Sequence, residues 1–182
     1  MRELRIAIVA VIALTVVLGL AYPLAMTGIA QVAFPGAADG RTDLIGKDYS
    51  KDAGLFQSRP SVTGYAPDGT FFNNQGPNQK DLADQLRGYV HAYLMRERPY
   101  TPGLIAASIP SDAVTTSASG VDPLISLANA RIQANRVAEK RGLPLRRVLD
   151  LIDDHVEQPL LGLAGAKSVN VVKLNRALEE AR

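Results

Sequence analysis

The stretch "IAIVAVIALTVVLGLAYPLAMTGIAQVAF", Ile6 to Phe34, contains no charged residue, and most of its positions are Ile, Val, Leu or Ala. A helix needs about 20 apolar residues to cross the hydrocarbon core of a bilayer. This stretch exceeds that length and leaves room for tilt. Its flanks are unequal: Arg2 and Arg5 stand on one side with the amino terminus, and a long mixed-charge segment follows on the other. The positive-inside bias therefore places the N-terminus in the cytoplasm and the residues after about Phe34 outside it. The rival reading is a cleaved signal peptide with Gly28-Ile29-Ala30 as its small-x-small site. The apolar core of such a peptide runs about 7–15 residues, so the length favours a retained anchor.

The helix carries more than an anchor requires. Pro23 has no amide hydrogen and is expected to kink it. Ala21, Ala25 and Ile29 are spaced by four, with Gly28 beside them. A face of small residues lets two helices approach closely in lipid, so Ala21, Pro23, Ala25 and Gly28 are the candidate packing residues. The bland alternative is a plain anchor with incidental alanines.

Composition bounds the remainder. The chain has 182 residues and a formal charge of +2. It has no long basic run and no aromatic-basic interleaving, which argues against nucleic acid. Cysteine is absent, excluding disulfides and thiolate metal sites, and two histidines, His91 and His155, are too few for a histidine-rich metal cluster.

The expected fold class is α+β: a single N-terminal transmembrane helix followed by one extracytoplasmic domain of several helices and short strands. The division is 1–5 cytoplasmic, 6–34 membrane helix, 35–182 outer domain. Residues 35–75 are dominated by turn chemistry, with brief strands expected at Asp43–Gly46 and Gly54–Phe56. Tyr49, Phe56, Tyr65, Phe71 and Phe72 are aromatic side chains worth burying. Asn78–Arg96 reads as a helix with Leu82, Leu86, Tyr89, Val90, Tyr93 and Leu94 on one side and a solvated His91 on the other. Short strands are expected near Leu104–Ile109 and Ala113–Thr115.

The clearest helix of the outer domain begins after Ser126. Leu127, Ala130, Ala134, Val137 and Ala138 form its apolar stripe. Asn129, Gln133, Arg136 and Lys140 form the opposite face, expected to be solvated or, with its neutral amides, a docking surface. Gly142 and Pro144 end it. A second helix is expected over Leu145–Glu157, broken by Pro159 and "LGLAG". A strand over "SVNVVKL" and a terminal helix over "NRALEEAR" complete the chain.

Between these elements lies "TTSASGVDPLIS", Thr115 to Ser126. A nucleophile elbow, Gly-x-Ser-x-Gly, lacks its first glycine here, and a catalytic triad needs His91 or His155 brought to Ser117 or Ser119. "LGLAGAKS" lacks two residues of the phosphate-binding loop pattern. The simplest account is a helix entrance. Ser126 caps the first turn, Asp122-Pro123 aims the chain into it, and Gly120 supplies backbone freedom.

Taken together, "AYPLAMTGIAQVAFP", "LFQSRPSVTGYAP", "NNQGPNQKDL", "TTSASGVDPLIS", "RIQANRVAEKRGL" and "LGLAGAKSVNVVKLNRAL" closely resemble, in order and content, the KdpC subunits of the bacterial Kdp potassium-transporting ATPase. The resemblance covers essentially the whole chain. It implies a non-catalytic, single-span component of the plasma membrane. Members of that family assemble with a channel-like potassium subunit and a P-type ATPase subunit, and are described as chaperones raising ATP use. The phosphorylation motif Asp-Lys-Thr-Gly-Thr and a Walker A loop are both absent from this chain. ATP and potassium thus act on the complex, and the residues assign no cofactor to this chain. The resemblance also implies a partner- or nucleotide-related role for the small-residue loop, Ser117, Ser119, Gly120 and Asp122, and for Gln133. The family pattern has a histidine and a proline where this chain has Leu124 and Leu127. The charge argument puts the loop outside the cell, where ATP is scarce. Two other classes stay open at this stage: a membrane-anchored outer-face serine hydrolase and a small-anion binding module.

Overall fold

The computed structural model describes residues 2–34, 42–66, 68–69, 74–158 and 165–181. Phe71, Phe72, Pro159 and most of "LGLAG" therefore lie outside the described residues. The chain divides into two units, Met1–Arg41 and Thr42–Arg182.

The first unit is one helical run, Arg2–Ala33, long and apolar enough to cross a membrane. It comprises α1 (Arg2–Val16), a π-helical turn at Val17–Ala21, and α2 (Tyr22–Ala33). The turn lies immediately before Pro23. A proline ring collides with the carbonyl four residues back, which here belongs to Gly19, and a widened turn relieves that crowding. Within it, Tyr22 N–H reaches back five residues to the Val17 carbonyl. Thr27 Oγ1 donates to the Pro23 carbonyl at 2.8 Å, a further local bond in the same stretch. Where the sequence leads one to expect a kink at Pro23, the structure shows a π-helical turn at Val17–Ala21.

The second unit is α+β. Its sheet has the order β1 (Leu124–Ser126), β3 (Ser168–Asn170), β2 (Val156–Glu157), all antiparallel. Val169 sits at the centre, opposite Ile125 on one side and Val156 on the other. Two strands run straight into helices: β1 into α4 (Leu127–Arg141) and β3 into α6 (Val171–Glu180). At both junctions the last strand residue caps the helix. Ser126 Oγ accepts from Asn129 N, and Asn170 Oδ1 accepts from Val172 N and Lys173 N. The expected strand over "SVNVVKL" therefore ends at Asn170. Once Asn170 satisfies the first free amides, Val171, Val172, Leu174 and Leu178 fall on a helical stripe and are buried.

Helix α4 occupies the middle of this unit. Its apolar side, Ala130, Ala134 and Val137, is fully buried in the main core with Phe56, Ile125, Val169, Leu174 and Leu178. Helix α5 (Leu145–Asp154) adds Val148, Leu151 and Ile152 to that core while its charged residues face solvent. Gly142 ends α4 in the left-handed conformation, φ 65° and ψ 26°. Helix α3 (Lys80–Glu97) contributes Tyr93 to a second cluster with Leu104 and Ala113, and His91 is exposed as expected.

Several expected strands are not strands. Thr42–Leu44, Ala106–Ser108 and Ser111–Ala113 are single 3₁₀ turns. Their apolar runs are too short to hold a ladder, and Ser108, Pro110 and Ser111 interrupt the latter two. Gly54–Phe56 has no strand partner among the described residues, for a reason that lies in the polar side of α4.

Candidate functional site

The stretch Thr115–Ser126 is clamped from a segment whose sequence shows only turn chemistry. Arg59 Nη1 pairs with Asp122 Oδ2 at 3.2 Å, and Nη2 donates to Thr115 Oγ1 and to the Thr116 carbonyl. Ser61 Oγ donates to the Gly120 carbonyl at 2.6 Å. Gly120 adopts φ +71°, and a Cβ there would lie 2.7 Å from Thr63 Oγ1. Its glycine is therefore required twice, by conformation and by the close approach of Thr63. Asp122 Oδ1 accepts from Leu124 N, the turn that leads into β1.

The two serines are internal to the loop. Ser117 Oγ accepts from Gly120 N at 3.0 Å and lies 3.4 Å from Ser119 Oγ, and Ser119 Oγ accepts from Val121 N. Neither histidine reaches them: His155 Nδ1 is bonded to its own helix at the Leu151 carbonyl, and His91 is exposed. Among the described residues, no group positioned to activate a nucleophile is bonded to either serine. Ser126 caps α4, with Asp112 Oδ2 receiving both Ser126 N and Asn129 Nδ2.

The opposite face of α4 differs most from expectation. Asn129, Gln133 and Arg136 are each 1% exposed. They are not a solvated face, and only Lys140 of the four is exposed. The helix is covered on both sides because the segment Ala53–Gln57 runs across its polar side. Gln133 Oε1 accepts from Gln57 N at 2.7 Å and Gln133 Nε2 donates to the Gln57 carbonyl at 3.1 Å. Asn175 on α6 treats Phe56 the same way, at 2.8 and 2.9 Å. The segment thus has the backbone partners that a strand needs, but they are side-chain amides. That is why Gly54–Phe56 reads as a strand and forms no ladder.

Arg136 completes the seam. Its Nε donates to both carboxylate oxygens of Glu97, at 3.1 and 3.0 Å. Its Nη1 reaches the Ala53 and Leu55 carbonyls, and its Nη2 reaches Gln133 Oε1. Burial pushes the guanidinium pKa down, and the adjacent Glu97 opposes that shift. Tyr93 OH donates to Asn129 Oδ1 at 2.9 Å, and burial pushes its pKa up. A charge pair this deeply buried is tolerable only when its remaining donors and acceptors are satisfied. Here the carbonyls of Ala53 and Leu55 and the Gln133 amide do so.

Sequence reasoning missed Arg59, Asp112, Gln57 and Glu97. One of them was readable: Glu97 continues the α3 stripe four residues beyond Tyr93. Gln133 was singled out, but its placement is internal and structural. The structure brings Gly120 and Asp122 together through Ser61 and Arg59, and it keeps Gln133 in a separate network.

On the membrane helix, Ala21, Pro23, Ala25 and Gly28 are all exposed. Ala25 and Gly28 line one shallow groove with Leu24, Ile29, Val32 and Ala33, while Ala21 and Pro23 fall outside it. No cluster of metal-ligating side chains occurs among the described residues.

A family model described as "K+-transporting ATPase, c chain" matches residues 4–180. A Caulobacter vibrioides protein named potassium-transporting ATPase KdpC subunit is 45% identical over 98% of this chain and 93% of its own length. Proteins of the same name from Polaromonas naphthalenivorans and Rhodopseudomonas palustris are 44% and 41% identical, covering 97% and 100% of this chain and 93% and 98% of their own lengths. With a membrane-length helix, an α+β unit built on α4, and similarity from end to end, the chain belongs to the KdpC family of K+-transporting ATPases.

Proposed function

We propose that this chain is the non-catalytic accessory subunit of an ATP-driven potassium uptake complex in the bacterial plasma membrane. Its N-terminus is cytoplasmic, residues 6–34 span the bilayer, and residues 35–182 form the outer domain. It assembles with the channel-like potassium subunit and the P-type ATPase subunit and raises ATP use by the latter. The observation that carries this reading is the helix Arg2–Ala33, uncharged from Ile6 onward and exposed on every side, in a chain of this family. The relatives' own names, subunit of a potassium-transporting ATPase, support the partners. Arg2 and Arg5 support the orientation.

The outer domain then has no direct route to cytosolic ATP, so its influence on hydrolysis passes through the partners it holds. The internal bonding of Ser117 and Ser119 supports a non-catalytic role, and nothing in the geometry favours the hydrolase alternative.

The test is purification by a tag on this chain from its native membrane in mild detergent. The expected result is co-purification of a channel-like subunit and an ATPase subunit with potassium-stimulated hydrolysis. Recovery of the chain alone, or full potassium-stimulated hydrolysis by membranes lacking it, would overturn the reading. Labelling of a cysteine placed at Asp39 in intact cells tests the orientation, with labelling from outside expected.

A further inference from the structure

Between α3 and the segment 48–65 lies a cavity of about 200 Å³. An apolar cavity of roughly 150 Å³ suffices for a benzene ring, so this one has room for a ring and a small polar group. Tyr65, Tyr89 and Tyr93 line it together with Pro60, and it holds two opposite charges, Asp48 and Arg96. Those charges are not paired with each other. Arg96 donates through Nε to Glu97 Oε1 and lies 5.2 Å from the centre of the Tyr93 ring. Its Nη1 and Nη2 make no hydrogen bond among the described residues, and an arginine edge of that kind suits a carboxylate. Asp48 accepts from Ser50 N at 2.8 Å, and Ser50, through its backbone and its side chain, holds the carboxyl below the usual range, so Asp48 is anionic at neutral pH.

A second observation falls in the same place. Tyr65 has φ 64°, a left-handed conformation that is uncommon and strained for a bulky residue. It is held there by Ser61 Oγ, which accepts from Tyr65 N at 3.0 Å, and by a bond from Tyr65 OH to the Arg59 carbonyl. The strain places an aromatic side chain in the wall of the cavity.

We infer that this cavity binds a small zwitterion, a molecule with a compact apolar body, a carboxylate for Arg96 and an ammonium for Asp48. A simple anion would meet Asp48 and a simple cation would meet Arg96, so either alone is disfavoured. The tyrosine faces suit both the apolar body and the ammonium end.

The full-length chain in detergent micelles is titrated calorimetrically with L-phenylalanine and with its two halves, benzoate and 2-phenylethylammonium. Saturable binding of phenylalanine is expected, with each half about tenfold weaker for the loss of one charge contact. Asp48→Asn should remove phenylalanine's advantage over benzoate, and Arg96→Gln its advantage over phenylethylammonium. Thermal melts accompany both variants, and the exposed Asp48 gives a test even where Arg96→Gln perturbs folding. No saturable binding of phenylalanine, benzoate binding as tightly as phenylalanine, or an unchanged phenylalanine affinity in Asp48→Asn would overturn the inference.

Discussion

Gln133 holds both backbone groups of Gln57, at 2.7 Å to its N–H and 3.1 Å to its carbonyl, although 76 residues separate them in the chain. One side-chain amide therefore does for Gln57 what a neighbouring strand would do. Alanine at 133 leaves a buried N–H and a buried carbonyl unpaired and strips a partner from Arg136 Nη2. An unsatisfied buried group costs about 1–3 kcal/mol. Gln133→Ala is expected to lower the unfolding free energy of the α+β unit by about 2–4 kcal/mol. Denaturant unfolding followed by circular dichroism checks this. A loss below about 0.5 kcal/mol, the range of ordinary surface changes, would return Gln133 to a surface role.

The Arg136–Glu97 pair should behave asymmetrically. Removing one partner of a buried pair costs about 3–5 kcal/mol, because the other charge is left uncompensated. Glu97→Gln strands Arg136 and is expected to fall in that range, whereas Arg136→Met leaves Glu97 bonded to Arg96 Nε at 2.7 Å and should cost less. The double variant should cost less than the sum, since neither charge is then stranded. Strict additivity, measured by the same unfolding curves, would show that the two residues are not energetically coupled.

These two sites also show where the sequence is legible. The apolar stripe of α4, its Ser126 entrance and its Gly142 stop can be read because each depends on residues within a few positions. The burial of Asn129, Gln133 and Arg136 cannot. Amphipathic reasoning assigns a polar face to solvent, and only tertiary structure shows that Ala53–Gln57 covers it. The same gap explains the strand expected at Gly54–Phe56, whose partners are side chains from α4 and α6. It also explains the helix that begins at Val171 in a β-branched run. Asn170 as a cap is a local signal, but the Val-Val pair after it argues for a strand. In the 115–126 loop the hydroxyl cluster and Gly120 are visible. The clamp from Arg59 and Ser61 is not, because it joins segments more than 50 residues apart.

Ser126 and the loop serines separate folding from function. Ser126→Ala removes the bond to Asn129 N and is expected to cost about 1 kcal/mol. Ser117→Ala and Ser119→Ala remove bonds within an exposed loop and should cost a few tenths of a kcal/mol at most. In the assembled complex both should keep potassium-dependent ATP hydrolysis near the wild-type rate. Abolished hydrolysis in a variant that melts at the wild-type temperature would mean that a serine there takes part in chemistry.

Alkaline pH should destabilise the α+β unit. Burial pushes the Tyr65 phenol up to about 12 from its ordinary 10.0, and Tyr93 shifts in the same direction. A raised pKa means that the folded state favours the protonated phenol. The corresponding stability is complete below about pH 10 and is lost as pH climbs from there toward about 12. Melting temperatures measured between about pH 9 and about pH 11 should fall. Tyr65→Phe, which cannot ionise, should lessen that fall. An identical fall in the variant would show that Tyr65 does not contribute to it.

The membrane helix offers a test in which assembly can fail while the helix stays intact. Ala25 and Gly28 line the groove that is the candidate partner face, and a Cβ at Gly28 would meet nothing within 4 Å. Leucine at either position therefore fits the chain by itself, and as a good helix former it keeps both the helix and its apolar length. Membrane insertion and yield should match wild type. A partner helix packed against this groove is a different matter, because small residues permit a close crossing and added bulk forces the backbones apart. Ala25→Leu and Gly28→Leu are each expected to reduce recovery of the partner subunits on the tagged chain. Val11→Leu, an exposed position in α1 away from the groove, serves as the control and should leave recovery unchanged. Equal recovery for all three variants would place lipid, and not a partner helix, on the groove. Loss confined to Gly28→Leu would centre the crossing at Gly28, beyond Pro23.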